Sequence, residues 1–559
     1  MSKEEIKRQV DEAVRTEQEQ YQKSKEEPPS ETTTPTGYID QLKADYDDNH
    51  MGDARRFSER FGGKLIFDNT QGRWFRFKET HWGEDMGRTH RHSLTYIAED
   101  YRQQARFYGQ AAKEMQKSAE YLAAETKTAK REMLDPLLRQ QAAWDRRAKE
   151  LKDPGRIGKV LDLASVANPG YLGILGTEWN ADPYLFACAN AVIDLRTGKA
   201  LPANPLDYIN RASGILWDKL QAESDLWETF LQQVFAGDQE LIDYVQRCTG
   251  YWITGLSNVQ EFYCFWGPQG RNGKGVFFRT IRQIMGTYFQ QIPPKFLLDE
   301  KALQSSDKPD QILVSLEHTR LACASEAPKR ARFSEGAIKA LSGGDPITCR
   351  GLYSNNITEY IPKFKMLFVT NRVPSVSGDD RAFQERLRII KFGCTFRQGA
   401  EADPEARVYP MDPQLEHKLH QPEHLSGILA WAVRGAVEFL KTMDLTPPAS
   451  VLATTEDYMA SNDFVGEFLE QCLEVTDATP TAATDWTRTQ MKDIYQVFQR
   501  WCKEEKSIPE SKIMSQNALG KDFTNRTELV KVPPKNKVFY NVIIRAEWQT
   551  EGQGHDLPY

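Results

Sequence analysis

The sequence predicts an α/β protein: a parallel sheet clad in helices, preceded by a mostly helical region with a β-hairpin and followed by a small helix-and-strand unit. Three observations carry that expectation. First, three short, nearly all-apolar runs, EFYCFW (261–266), RLACAS (320–325) and KMLFVT (365–370), each stop at a polar residue: Gly267, Glu326 and Asn371. Continuous apolar runs of this length suit strands buried on both faces, as in a parallel sheet covered by helices. Second, residues 93–150 are rich in Ala, Gln, Glu, Lys and Arg and almost free of Gly and Pro, which favours long, polar-faced helices. Third, the segment from 446 onward runs helix pattern, helix pattern, then two strand patterns around a basic turn.

Taken in order, residues 1–52 read as a tail and linker. Ile6, Val10 and Val14 mark one sparse helix, and EEPPSETTTPTG cannot bury a core. KLIFDNTQGRWFRFKETHW alternates apolar and polar about Gln71-Gly72, as a hairpin does, and opens a region placed at 53–215. Within it, ANAVIDLRTGKALP (189–202) reads as strand, Thr-Gly turn, strand. A helical stretch at 216–256 holds helices expected at 224–235 and 239–254, the first with Trp227, Phe230, Leu231 and Val234 on one face. The strand-bearing core is placed at 257–445. In 446–559, MKDIYQVFQRWCKEE and SQNALGKDFTNR precede the two strands of ELVKVPPKNKVFYNVII. Helix, helix, hairpin is the order of a winged helix.

The 559 residues suggest roughly three or four domains, and 40% hydrophobic residues supply their cores. No apolar run reaches the ~18 residues that suggest a membrane span. The charged start, MSKEEIKRQVDEAV, is not a secretory signal. The eight cysteines stand singly, which fits a reducing compartment and makes a zinc site unexpected. A cytoplasmic protein without a membrane partner is the expectation. The net charge of -7 weighs against a surface coated in basic charge, but leaves room for positive charge confined to a pore.

The chemistry-bearing stretch is GPQGRNGKGVF (267–277), between an apolar run and a helix. It nearly fits the pattern G-x-x-x-x-G-K-[ST], in which backbone N–H groups cradle phosphates and the lysine neutralises them. Here the first glycine is displaced by one place, and Gly275 stands where a hydroxyl would meet Mg2+. A glycine-rich turn is the alternative for the stretch alone. Glu326 can activate a water or hold Mg2+ through water, and Asn371 can sense a γ-phosphate. Glu326 could also be a solvated carboxylate at a strand end, and Asn371 a cap of NRVP. DDRAFQERLRIIKF carries Arg381, Arg386 and Arg388, either a finger donated across a subunit boundary or a surface salt-bridged helix. Ile347–Leu352 and Ile357–Ile361 resemble two strands around Ser354-Asn355-Asn356. Arg350 could meet phosphate there and Tyr353 a sugar or base; a solvated hairpin is the alternative.

Together GPQGRNGKGVF, RLACASEAPKR, IKALSGGDPITCRGLY, KMLFVTNRVP and FQERLRIIKF resemble the ordered motifs of the phage and plasmid primase-helicase family. Its members are superfamily 3 helicases related to the poxvirus helicase-primase. GRWFRFKETHW and ANAVIDLRTGK resemble the domain that precedes its motor, so the resemblance covers about 55–550. It implies a ring, usually a hexamer, of AAA+-like ATPase domains. ATP and Mg2+ sit between subunits, and the ring moves 3′ to 5′ on single-stranded DNA. By motif, Gly267, Gly270, Arg271, Asn272, Gly273, Lys274, Gly275 and Val276 would bind ATP. Glu326 would be the acidic, metal-associated residue and Asn371 the sensor. Arg386 best matches the trans-acting arginine, with Lys339 and Arg388 as further trans candidates. Arg350, Leu352, Tyr353, Ser354 and Asn355 would track DNA. Gly275 and Ser325 depart from the pattern, Ser325 standing where many relatives have a second carboxylate. Only a short tail precedes the resemblance, so the expectation is a helicase acting on single-stranded and forked DNA that takes primase activity or initiation from another protein. A DNA-binding initiator or scaffold with weak ATPase and a small-molecule kinase are the competing classes.

Overall fold

The computed structural model describes residues 48–298, 311–328, 331–350, 357–376, 380–462, 464–476, 489–506, 508–510, 513–526, 529, 531–532 and 539–549. The chain divides into two compact units, one ending at Thr177 and one holding Phe77–Gly83 and everything from Glu178 onward.

The first unit contains α1 (His50–Phe61), β1 (Leu65–Asp68), most of β2 (Arg73–Lys78), α2 (Thr89–Lys117), α3 (Lys127–Glu150) and α4 (Pro154–Ala164). β1 and β2 pair antiparallel from Leu65↔Arg76 to Asp68↔Arg73, around the Gln71-Gly72 turn expected from the sequence. Asp68 Oδ1 accepts the amides of Thr70 (2.8 Å) and Gln71 (3.0 Å), and Gly72 takes φ +65°, which glycine adopts without a Cβ penalty. The Ala/Gln/Glu-rich stretch forms the long helices α2 and α3. Fully buried Asp53 ties α1 to three other helices, accepting from Tyr101 (2.9 Å), Arg147 (2.8 Å) and Arg156 (2.6 Å).

The second unit opens with a three-stranded antiparallel sheet, β5 (Leu185–Ala187), β6 (Val192–Asp194) and β7 (Lys199–Leu201), counting β3 (His81–Glu84) and β4 (Gly173–Ile174) before it. Next come α5 (Asp225–Val234) and α6 (Gln239–Ile253). Trp227, Phe230, Leu231 and Val234 are buried, as their helical spacing implies.

The central sheet follows: β8 (Phe262–Trp266), β9 (Phe289–Gln291), β10 (Leu321–Ser325), β13 (Lys365–Thr370) and β14 (Leu387–Lys391), ordered β14-β8-β13-β10-β9 and parallel throughout. The three apolar runs are its inner strands, and β9 and β14 are edges that the sequence did not mark. β14 lies inside the arginine run. That run is therefore a one-turn helix (Arg381–Gln384) followed by a strand, and not a long surface helix. Helix α7 (Lys274–Met285) follows β8, and α8 (Glu335–Ser342) precedes an inserted hairpin. The hairpin strands β11 (Ile347–Arg350) and β12 (Ile357–Tyr360) pair antiparallel, Arg350 opposite Ile357.

After Thr395–Arg397 and Val408–Pro410, helices α10 (Leu415–Leu419), α11 (Pro422–Thr442) and α12 (Ala449–Asn462) complete this core, α9 being Arg381–Gln384. A Cβ on Gly250 of α6 would lie 2.0 Å from the Ala436 amide nitrogen of α11, so those helices meet backbone to backbone. A separate apolar cluster around Phe468, Phe498, Trp501 and Tyr540 joins helices Phe464–Cys472, Met491–Glu504 and Gln516–Asn525 to short antiparallel strands. All eight cysteines are buried, and none is in a disulfide. Among the described residues, no helix is long and apolar enough to cross a membrane.

Candidate active site

Because the five central strands are parallel, their carboxyl ends share one edge, where ligands gather in such sheets. Gly267, Glu326 and Asn371 follow the ends of three of them. The loop 267–273 turns from β8 into α7 through left-handed residues: Gly270 (φ +28°), Arg271 (φ +54°) and Gly273 (φ +79°). Turns of this kind gather amides into an anion-binding concavity, here at a helix N-terminus. Two glycines have no room for a side chain. A Cβ on Gly267 would overlap the Asn272 amide (1.8 Å to Nδ2), and one on Gly273 would lie 2.6 Å from Val234 Cγ2 of α5. The loop is thus moulded against the preceding helix.

Lys274 is the first residue of α7 and only 7% exposed. Its Nζ donates to Asn371 Oδ1 at 2.7 Å, joining the ends of β8 and β13. Burial pushes the ammonium below the usual lysine range, with Cys264 and Glu326 acting against the shift. Glu326 is exposed and holds φ +63°, a strained conformation for a non-glycine residue, while its amide donates to Val369 O (3.0 Å). Asn272 is buried, and its Nδ2 has no partner among the described residues. Arg271 is exposed, its carbonyl accepting from the Phe396 amide (2.8 Å). Val276 packs on the apolar core. In front of the loop lies a cleft of ≈ 310 Å³ lined by Lys274, Gly275, Arg279, Arg282, Ser325, Glu326 and Asn371, among others.

Arg279, Arg282 and Glu416 were not singled out from the sequence. Arg279 forms a two-pronged ion pair with Glu416 of α10, Nε–Oε1 2.5 Å and Nη2–Oε2 2.6 Å. A Cβ on Gly275 would meet Arg279 Nη1 at 2.9 Å. The spacing Gly275 to Arg279, one helical turn, was a signal that the sequence held. The cleft fits the phosphates of a nucleotide: a glycine loop, a helix N-terminus and three cations. It does not fit a protein-held Mg2+, because among the described residues Glu326 is the one carboxylate lining it and a guanidinium takes the place of the usual hydroxyl.

Comparison with known proteins bears first on the region ahead of this cleft. A family profile described as "D5 N terminal like" matches residues 54–236. "Putative helicase L207/L206" of Acanthamoeba polyphaga mimivirus is 24% identical over 358 residues, 62% of this chain and 35% of that protein. The chain is thus similar to the D5 N-terminal-like family over 54–236 and to viral proteins named putative helicases over more of its length. "Putative helicase 022R" of Frog virus 3 (isolate Goorha) is 25% identical over 271 residues, 46% of this chain and 27% of that one. The matched part of the chain spans about a third of the length of these relatives. Two apo structures of the NrS-1 C terminal region share 12% and 11% identity, with TM-scores of 0.30 and 0.32. They cover 57% and 59% of this chain and 65% and 77% of theirs. That likeness is too loose to bear on the fold or the cleft.

Among the described residues, the remaining candidates are not part of the cleft lining. Arg386 precedes β14 at the amino end of the sheet, donating to Ala382 O (2.7 Å) and Gln260 Oε1 (2.8 Å). A five-residue strand spans roughly 16 Å, so the residue is remote from its own loop. Arg388 pairs with Glu261 at 2.8 Å, and Lys339 pairs with Asp380. Arg350 ends β11 at the loop end of the hairpin, opposite Ile357, and Leu352, Tyr353, Ser354 and Asn355 lie outside the described residues.

Proposed function

We propose that this chain is a ring-forming, ATP-driven DNA helicase that moves 3′ to 5′ on single-stranded DNA during replication of a phage, plasmid or integrated element. The observation that carries this reading is the contact of Lys274, at the start of α7, with Asn371, at the end of β13, beside Glu326 at the end of β10. It supplies a phosphate cradle, a γ-phosphate sensor and a water-orienting carboxylate at one edge of a parallel sheet. The loop from Gly267 to Gly275 would hold the phosphates of ATP. Mg2+ would arrive on the nucleotide's own oxygens and waters. A second cavity of ≈ 260 Å³, lined by Val234, Phe235, Asp238, Gly393, Cys394 and Thr454 among others, offers room for the base.

The remoteness of Arg386 from its own cleft supports a role in a neighbour's site, which needs a homo-oligomer, in this reading a hexamer. Lys339 and Arg388 are secondary candidates at such an interface. The inserted hairpin, from Arg350 through Tyr353 to Asn355, would face DNA in the pore. The terminal helices and strands would act as a winged-helix-like domain. A separate primase or initiator would be its partner. The alternative is an initiator or scaffold whose ring binds ATP and scarcely hydrolyses it, favoured by Gly275 and Ser325. Strand displacement on forked duplexes with a single 3′ or 5′ tail separates these. The helicase reading requires ATP-dependent unwinding from the 3′ tail, lost in Tyr353→Ala while basal ATPase survives. No unwinding from either fork, with ATP bound, would favour the scaffold.

A further inference from the structure

Lysine 274 is not the sole cation that the cleft offers a phosphate. Arg279 lies one turn further along α7, half-exposed on the cleft wall. Its Nε and Nη2 are both engaged by the Glu416 carboxylate, which fixes the plane of the guanidinium. Nη1 is left with no hydrogen-bond partner among the described residues, and it lies 2.9 Å from where a side chain on Gly275 would begin. That place belongs to the cation-binding hydroxyl in the common phosphate-loop pattern. A guanidinium has only donors, so it cannot ligate a metal but can donate to a phosphoryl oxygen. The glycine at 275 is then explained by close approach: a serine or threonine would displace Arg279.

We propose that Arg279 is a phosphate-binding residue of its own subunit's nucleotide site, supplying through Nη1 part of the charge that other phosphate loops draw from a protein-held Mg2+, with Glu416 as its positioning residue. The proposal rests on the nucleotide reading of the cleft and adds to it a ligand and a reduced need for metal. Its ligand class is a triphosphate, independent of the base.

The test is equilibrium binding of ATP and of inorganic tripolyphosphate to the full chain, in EDTA and in Mg2+, with melting temperatures as a fold check. Wild type should bind both probes in EDTA. Arg279→Ala should lose about 10- to 150-fold in EDTA, the worth of one charged hydrogen bond, with either probe. Glu416→Gln, which keeps the guanidinium but loosens it, should lose less. Gly275→Ser should behave as Arg279→Ala does in EDTA. The double variant Gly275→Ser/Arg279→Ala should recover affinity when Mg2+ is added, since the hydroxyl then has room. Unchanged EDTA binding by folded Arg279→Ala, with binding lost in Lys274→Met, overturns this proposal and leaves the nucleotide reading standing. Unchanged binding in both variants overturns the two together.

Discussion

Replacing Lys274 with methionine probes the cleft with little disturbance to packing, because the side chain is buried and its stem is of similar length. In the free protein the ammonium has one close partner, Asn371 Oδ1 at 2.7 Å, and a weaker contact with Asn272 Oδ1 at 3.5 Å. A hydrogen bond to a charged group contributes about 1.5–3 kcal/mol. Against it stands the desolvation that already depresses the Lys274 pKa. The two offset, so Lys274→Met should change folding stability by no more than about 1 kcal/mol. Nucleotide binding has no such offset. The bound phosphates would lose a buried, charge-assisted donor, and affinity should fall about 10- to 150-fold. Isothermal titration with ATP, beside urea unfolding of the same preparation, reads both quantities. Full ATP affinity in a folded Lys274→Met protein would refute the placement of phosphates at this loop. A loss of several kcal/mol in stability would instead make the lysine a structural cation.

Three further outcomes are expected. Gly273→Ala combines left-handed strain with a Cβ 2.6 Å from Val234 Cγ2, whereas Gly270→Ala has nothing within 4 Å; the first should cost about 2–4 kcal/mol and abolish ATP binding, and the second about 1 kcal/mol, both read by urea unfolding. Arg386→Ala rings should bind ATP but hydrolyse it slowly, and pre-mixing with Lys274→Ala protein should restore part of the phosphate release, because some interfaces regain both residues; no recovery in rings verified by size would place Arg386 outside a shared site. Burial, reinforced by Arg211 and Lys363, pushes His318 down to about 3, so the unfolded chain binds the extra proton between pH 6.5 and that value. Stability from this group is therefore present above pH 6.5 and falls on acidification by up to about 1.4 kcal/mol per pH unit, a slope that His318→Gln should remove from urea midpoints measured between pH 7 and 5.

The inner strands were legible because both their faces are buried, which forces an unbroken apolar run: every residue of Lys365–Thr370 is buried, even Lys365, whose Nζ donates to the carbonyl oxygens of Thr254 (2.6 Å) and Leu256 (3.1 Å). The edge strands gave no such run. In Phe289–Gln291 only Phe289 is buried, and in β14 the polar Arg388 answers Glu261 just ahead of β8. Glu326, Asn371 and Lys274 could be named because each sits just past a legible strand or in its glycine loop. Arg279 stood one helical turn from Gly275, but its partner Glu416 could not be named, since a pair 137 residues apart leaves no local pattern. The Asp53 cluster escaped for the same reason, with Arg156 103 residues away. The strain at Glu326 is likewise a consequence of tertiary structure that no residue type announces.

The central claim, a DNA-coupled ATPase at the Lys274–Glu326–Asn371 cleft, is tested most directly by steady-state phosphate release from ATP with and without single-stranded DNA, in wild type and Lys274→Met. The account predicts ATP hydrolysis that rises on adding DNA and is absent from the variant under both conditions. Hydrolysis that ignores DNA, or that persists in folded Lys274→Met, would contradict it.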